Sequence, residues 1–238
     1  MCAMYVNSGL GLWDRIGPIW RIAFEEAWAA YVAGTVPVGA VLVDVNGAIV
    51  SRGRNRIFDN AVAGHIGGSR LAHAEVNALL GLTGSSLDPR ALALYTTTEP
   101  CPLCIGAVVM ANVREIRYAA REPYAGSITV LDATSYIRSK KIRVIPPEDP
   151  DAEAVSIAMG NEFHLRGNGP RVAELVAGSL AIRPDAVALA ERLHAAGRWA
   201  VLRRMSAREG IADLLGQIDL SAQAFEGPST PSRRKKYE

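Results

Sequence analysis

The sequence lacks a long apolar run, and nowhere do its hydrophobic residues approach the roughly 20 consecutive positions that a membrane-spanning helix needs. Its first 20 residues contain no basic segment followed by a clean apolar one, so a secretory signal peptide is not expected. Charge is nearly balanced: the formal net charge is +2, too small to indicate nucleic-acid binding by itself. These absences predict a cytoplasmic globular protein that does not insert into a membrane.

Cysteine is also scarce, with three residues in a chain of 238, and the odd number argues against a disulfide framework. Two of the three, Cys101 and Cys104, are three residues apart and directly follow Pro100, whereas Cys2 is far away. In a reducing compartment such a close pair more often binds a metal than forms a disulfide. The pair is therefore the first candidate for a functional site.

Apolar periodicity and turn residues predict an α/β fold. A β-hairpin is expected over 36–55, because two apolar runs flank the turn dipeptide Asn46-Gly47. Helices are expected over 13–32, 72–82 and 101–111, and further strands over 91–98, 115–120 and 141–146. Strands that alternate with helices indicate a sheet whose faces are covered by helices.

The composition changes near 147–150, where prolines stand among acidic residues. Every later segment has a helical pattern, with helices expected over 152–165, 170–180, 184–196 and 198–220. We therefore predict an α/β body of catalytic type over 1–147, a helical extension over 148–226 and a disordered basic tail over 227–238. The tail ends in a short Lys/Arg run, which we interpret as solvated rather than as a phosphate contact.

His73 is a candidate for a third metal ligand beside the cysteine pair. If a helix begins at or just after Pro100, Cys101 and Cys104 lie on its first turn, where the helix dipole stabilises thiolates. His73 begins a second predicted helix and can supply a nitrogen ligand. Three protein ligands with an open fourth position are typical of a catalytic Zn²⁺ rather than a structural one.

Glu75 follows His73 by two residues, so in a helix it does not share the face of the histidine. Beside the site, its carboxylate could take a proton from a zinc-activated water and pass it to a leaving amine. The alternatives are a redox-active cysteine pair and a structural zinc site. Neither explains a carboxylate next to a site that lacks one ligand.

With His-x-Glu followed by Pro-Cys-x-x-Cys, residues 13–146 resemble the cytidine-deaminase-like superfamily of zinc hydrolytic deaminases. The runs "VPVGAVLV" and "TEPCPLCIGAVVMANVREIRYAA" are similar to bacterial tRNA-adenosine deaminases and guanine deaminases. The resemblance implies a three-layer α-β-α sheet, Zn²⁺ as cofactor and a homodimer. It also implies that Asn55 hydrogen-bonds the substrate base and that Ala74 and Pro100 line the pocket. For Asn55 a turn-forming role is the alternative.

Two features depart from the tRNA enzymes. The loop over 58–70 is longer and richer in glycine, so it should overhang the pocket as a lid, and His65 in it either touches substrate or is solvated. The basic terminal helix of those enzymes has no clear counterpart, and the helical extension stands in its place. Both favour a small substrate over folded RNA.

The sequence therefore predicts a zinc-dependent hydrolase that releases ammonia from a free nucleobase or nucleoside, with a purine such as guanine favoured. The alternatives are tRNA adenosine-to-inosine deamination and deamination of a cytosine nucleoside or nucleotide. A non-catalytic partner subunit with the deaminase fold is the alternative outside the enzymes. The presence of Glu75 argues against that last alternative.

Overall fold

The computed structural model describes residues 11–167 and 169–218. In these residues the strands are β1 Gly39–Val43, β2 Ile49–Arg54, β3 Ala93–Thr96, β4 Glu115–Tyr118 and β5 Arg143–Ile145. The α-helices of the same residues are α1 Leu12–Arg15, α2 Pro18–Ala33, α3 Ala74–Leu80, α4 Pro102–Ala111, α5 Ser135–Ser139, α6 Pro150–Gly167, α7 Val172–Ile182, α8 Pro184–Ala195, α9 Trp199–Leu202 and α10 Ala207–Gln217. None of the helices in this part of the chain has both the length and the apolar character needed to cross a membrane.

The strands form one mixed sheet in the order β2-β1-β3-β4-β5. β1 pairs antiparallel with β2 and with β3, whereas β3, β4 and β5 run parallel. The predicted hairpin is confirmed, and its turn places Gly47 at a φ of 78°, a backbone conformation that glycine adopts without strain. The predicted α/β sheet is therefore present.

Helices cover both faces of the sheet, as the alternation of side chains along β1 shows. Ala40 and Leu42 point into a core that they share with α3 and α4. Val41 and Val43 point to the opposite face and pack against α2. The predicted three-layer α-β-α architecture is thereby confirmed. Helices α3 and α4, which begin directly after His73 and Cys101, lie on the same face of the sheet.

The helices of the extension pack on the far side of α2. Their apolar residues share a core with Phe24, Trp28 and Tyr31 of α2. The Tyr31 hydroxyl donates a hydrogen bond of 2.6 Å to Glu162 of α6, and the Trp28 indole donates one of 2.9 Å to the Met205 carbonyl. The division of the chain near residue 147 remains a prediction, and the predicted disordered tail lies outside the described residues.

Two predicted helices are each divided in the structure. The helix expected over 13–32 is broken at Gly17-Pro18, because proline disfavours a helical conformation in the residue before it. The helix expected over 198–220 is broken before Ser206. There a capping box with Glu209 starts α10, so the sequence carried a helix-start signal inside the predicted element.

Candidate active site

Two helix starts bring three potential metal ligands together. His73 is the residue before the first turn of α3, and Cys101 occupies the same position before α4, with Pro102 as the first helical residue. Cys104 lies on the first turn of α4 and is buried. The Nδ1 atom of His73 is 3.5 Å from each sulfur, and the two sulfurs are 3.7 Å apart.

These three separations match a tetrahedral zinc centre. Bonds of about 2.3 Å to sulfur and about 2.05 Å to nitrogen, at tetrahedral angles, place two sulfurs about 3.8 Å apart and a sulfur about 3.6 Å from a nitrogen. Each observed distance agrees with its expected value to about 0.1 Å. The three residues could therefore hold a metal ion, and their donor set of one imidazole and two thiols is one that zinc favours.

Glu75 lies against this triad on the first turn of α3 and is only 4% exposed. One carboxylate oxygen, Oε2, is 3.2 Å from the Cys104 sulfur. The other, Oε1, is 3.2 Å from the Thr96 hydroxyl at the end of β3, and that hydroxyl is also 3.2 Å from the Thr98 carbonyl oxygen. Thr96 has one hydrogen to donate, so it can serve either Glu75 or Thr98, but not both at once.

Burial and local hydrogen bonds shift the pKa values of this cluster. Burial raises the pKa of Glu75, and a hydrogen bond to Cys101 raises that of His73. The hydrogen bond between the two thiols lowers the pKa of Cys101 to about 4 and raises that of Cys104. A divalent cation among the three ligands changes this balance, since its charge allows both thiols to be deprotonated.

Asn55 is buried directly after β2, and its side-chain oxygen already has two partners. Oδ1 accepts hydrogen bonds from the Thr35 hydroxyl, at 2.7 Å, and from the Ile57 backbone N–H, at 3.1 Å. The contact with Ile57 is a local turn bond of the kind that asparagine favours. Both of these bonds go to the oxygen, which leaves the amide nitrogen available to donate to a substrate. A role in substrate binding remains a prediction, as it does for the buried residues Ala74 and Pro100 beside the ligands.

Asn77 attaches the loop over 58–70 to α3, and it was not among the predicted site residues. The Asn77 side chain accepts a hydrogen bond from the Ile66 N–H and donates to the carbonyls of Ile66 and Arg54. His65 turns back onto the hairpin, with its Nε2 3.1 Å from the Arg52 carbonyl oxygen. A polar residue on the buried side of a predicted helix was the signal that could have identified Asn77.

The position of His73 depends on the close approach of β2 to α3. A Cβ atom on Gly53 would lie 2.5 Å from the Ala78 nitrogen and 2.6 Å from the Ala74 oxygen, and both are backbone atoms that cannot turn aside. Only glycine allows this separation between the strand and the helix.

We expect Gly53→Ala to lower the free energy of unfolding by about 1–3 kcal/mol, the usual cost of overpacking, and to weaken zinc binding by displacing α3. Gly216→Ala on α10 is the matched control: an added Cβ there meets nothing within 4 Å, so stability should stay the same or rise. Denaturant unfolding and zinc titration measure both effects. Equal stability and zinc affinity in Gly53→Ala and the unmodified protein would contradict the prediction.

The chain matches one protein-family model, the zinc-binding region of cytidine and deoxycytidylate deaminases, over residues 18–120. It is 37% identical to a tRNA-specific adenosine deaminase of Bacillus subtilis over 108 residues, which are 44% of this chain and 61% of that protein. It is 34% identical to a tRNA-specific adenosine deaminase of Agrobacterium fabrum over 112 residues, which are 45% of this chain and 67% of that protein. It is 35% identical to a guanine deaminase of Bacillus subtilis over 104 residues, 42% of this chain and 60% of that protein. For the two Bacillus subtilis proteins, the matching part is less than two thirds of their length.

Proposed function

Because the chain belongs to the family of cytidine and deoxycytidylate deaminases, we propose that it is a zinc-dependent hydrolase that replaces an exocyclic amine of a nucleobase or nucleoside with oxygen and releases ammonia. The observation that carries this proposal is the triad of His73, Cys101 and Cys104 at tetrahedral spacing with the Glu75 carboxylate beside it. A structural zinc site would have a fourth protein ligand. It would also have no use for a carboxylate beside the metal.

Zinc bound to these ligands supplies a Lewis acid that lowers the pKa of a water molecule to near neutrality. Glu75 accepts one proton of the attacking water and delivers it to the ring nitrogen. The same carboxylate then transfers the second proton of that water, from the new hydroxyl group, to the amine, which leaves as ammonia. Its burial suits this role, because a raised pKa brings a carboxylate closer to the pH at which it both accepts and donates protons. The Thr96 hydroxyl holds the side chain in place.

We propose a small substrate, a free purine-type base or nucleoside with guanine first. Asn55 supports recognition of a base, since its available amide nitrogen can donate a hydrogen bond to a ring nitrogen or carbonyl oxygen. The positions of helices α6 and α7 favour a small substrate, because these helices close one side of the space beside residues 36–38 and Thr98. Deamination of tRNA adenosine is the second candidate, favoured by the two tRNA-specific relatives. A cytosine-based substrate is the third.

A homodimer is the assembly that we propose for the enzyme. In the single chain, α4 exposes the apolar side chains of Leu103 and Met110, the latter 68% exposed. A second copy could cover them, as apolar surface patches often mark association sites.

Ammonia release by the zinc-loaded protein tests the activity. The panel consists of guanine, guanosine, adenosine, cytosine, cytidine, deoxycytidylate and tRNA. We expect release from a small purine compound, with little dependence on salt. Release from tRNA alone, falling steeply as salt rises, would favour the second candidate, since phosphate contacts make binding salt-sensitive. No release from any compound would contradict the proposed activity.

A further inference from the structure

A cavity of about 50 Å³ lies between the body and the extension. The body contributes residues 36–38, which precede β1, together with Thr98 and residues 120–122. The extension contributes polar side chains from α6 and α7, namely Ser156, Asn161, His164 and Ser179. Since one water molecule needs about 10–15 Å³ of such space, the cavity holds a few waters or the edge of one heterocyclic ring.

The cavity adjoins the candidate active site through two short connections. Thr98, in its wall, has its carbonyl oxygen 3.2 Å from the Thr96 hydroxyl, which also lies 3.2 Å from the Glu75 carboxylate. Val38, also in its wall, accepts a hydrogen bond of 3.0 Å on its carbonyl oxygen from the Asn55 backbone N–H. The cavity wall therefore includes one residue that contacts Asn55 directly and one that is a single side chain away from Glu75.

Two neutral polar groups in the cavity wall are buried without hydrogen-bond partners. Ser156 is 5% exposed and Asn161 is 4% exposed, and neither the Ser156 Oγ nor the Asn161 Oδ1 has a partner among the described residues. The Asn161 amide nitrogen is paired, since it donates to the Ile157 carbonyl at 2.9 Å. Each such unpaired group costs stability, so its retention calls for an explanation.

The other buried polar side chains of α6 contrast with these two. Glu153 accepts hydrogen bonds from both ends of the Arg121 guanidinium, and Glu162 accepts from Tyr31 and Arg166. Arg166 on α6 also has a buried nitrogen, Nη2, without a hydrogen-bond partner in the described part of the chain, but its guanidinium lies 4.5 Å from the centre of the Trp199 ring. The two unpaired neutral groups of α6 both line the cavity. His164 lies there too, and because burial lowers its pKa, its imidazole is neutral near pH 7 and offers one donor and one acceptor.

We propose that Ser156, Asn161 and His164 of α6 are specificity-determining residues that bind the polar edge of the substrate ring. The ligand class is an uncharged heterocycle whose edge carries both hydrogen-bond donors and acceptors, as the amide-type edge of a nucleobase does. This inference rests on the proposed function and assigns the extension a direct part in the active site. In the bound state, the substrate edge pairs the two oxygens that have no partner in the free protein.

The test measures ligand binding separately from turnover. In a zinc-loaded Glu75→Gln background, calorimetry gives the affinities for guanine, guanosine, adenosine and cytosine, before and after Asn161→Leu or Ser156→Ala. We expect each change to weaken the preferred ligand by about 3- to 10-fold, the value of one hydrogen bond between uncharged groups. Tm should stay the same or rise, because each change removes an unpaired buried oxygen. Ser86→Ala, at an exposed serine whose side chain has no hydrogen bond to another described residue, is the matched control and should change neither affinity nor Tm.

The inference is overturned if no ligand binds, or if neither variant changes affinity or ligand preference. If Asn161→Leu lowers Tm, its affinity is set aside and Ser156→Ala alone decides. Ammonia release by the protein with Glu75 intact judges the proposed function independently. Binding that depends on Asn161 without any release would uphold this inference and reject the deaminase. Release of ammonia from a substrate whose affinity is unchanged in both variants would uphold the deaminase and reject this inference.

Discussion

Glu75→Gln is expected to lower turnover by at least about a thousandfold while zinc remains bound, because one carboxylate carries every proton transfer of the proposed reaction and such catalysis contributes about 10²–10⁴-fold per step. Glutamine keeps the size of the side chain and its hydrogen bond with Thr96, but it cannot accept the proton of the attacking water. The proposed metal ligands His73, Cys101 and Cys104 are unchanged in this variant. Zinc analysis and ammonia-release kinetics on the same preparation measure the two quantities.

Glu191→Gln on α8 is the control for the loss of one negative charge, since this glutamate is exposed and belongs to the extension. It should retain full activity. Substantial turnover in Glu75→Gln would exclude Glu75 as the proton carrier. Loss of zinc together with activity would instead show that the carboxylate supports the metal site.

Cys101→Ser is expected to weaken zinc binding by more than about 100-fold, since changes to residues that only support metal ligands already cost 10- to 100-fold. A serine hydroxyl is not deprotonated at neutral pH and is a poor zinc ligand compared with a thiolate. The change leaves His73 and Cys104, which are too few for stable coordination. Zinc content after dialysis and competition with a chelator measure the loss.

The same variant should be less stable. A metal that binds only the folded chain adds about 2.7 kcal/mol to the free energy of unfolding when its free concentration is 100 times its dissociation constant. Tm measured with and without chelator reports this contribution, and in Cys101→Ser the two values should coincide. Cys2→Ser is the matched control, because Cys2 is far in sequence from the proposed ligands and its removal should leave zinc bound. Stoichiometric zinc in Cys101→Ser would contradict the assignment of the triad.

The residues of the candidate centre could be predicted because their signals are local. His73 and Glu75 are two residues apart and Cys101 and Cys104 are three apart, so each pair belongs to one helix start whose geometry follows from its own sequence. The hairpin was predictable for the same reason, since its turn dipeptide lies between the two strands. The helix breaks at Pro18 and Ser206 were missed although their signals are local, because the apolar periodicity continues through both.

The tertiary structure decided what surrounds the centre. The bridge from Glu75 through Thr96 to Thr98, the attachment of the loop by Asn77, and the place of Asn161 beside residues 36–38 all join segments far apart in the chain. No spacing in the sequence encodes such contacts, because they depend on how the sheet and α2 orient the extension. The sequence by itself identified the candidate metal ligands and the chemistry that such ligands allow. Only the packing of α6 and α7 against the body determined which side chains line the cavity beside that chemistry, since a polar residue on a helix faces solvent or a cavity according to what packs against it.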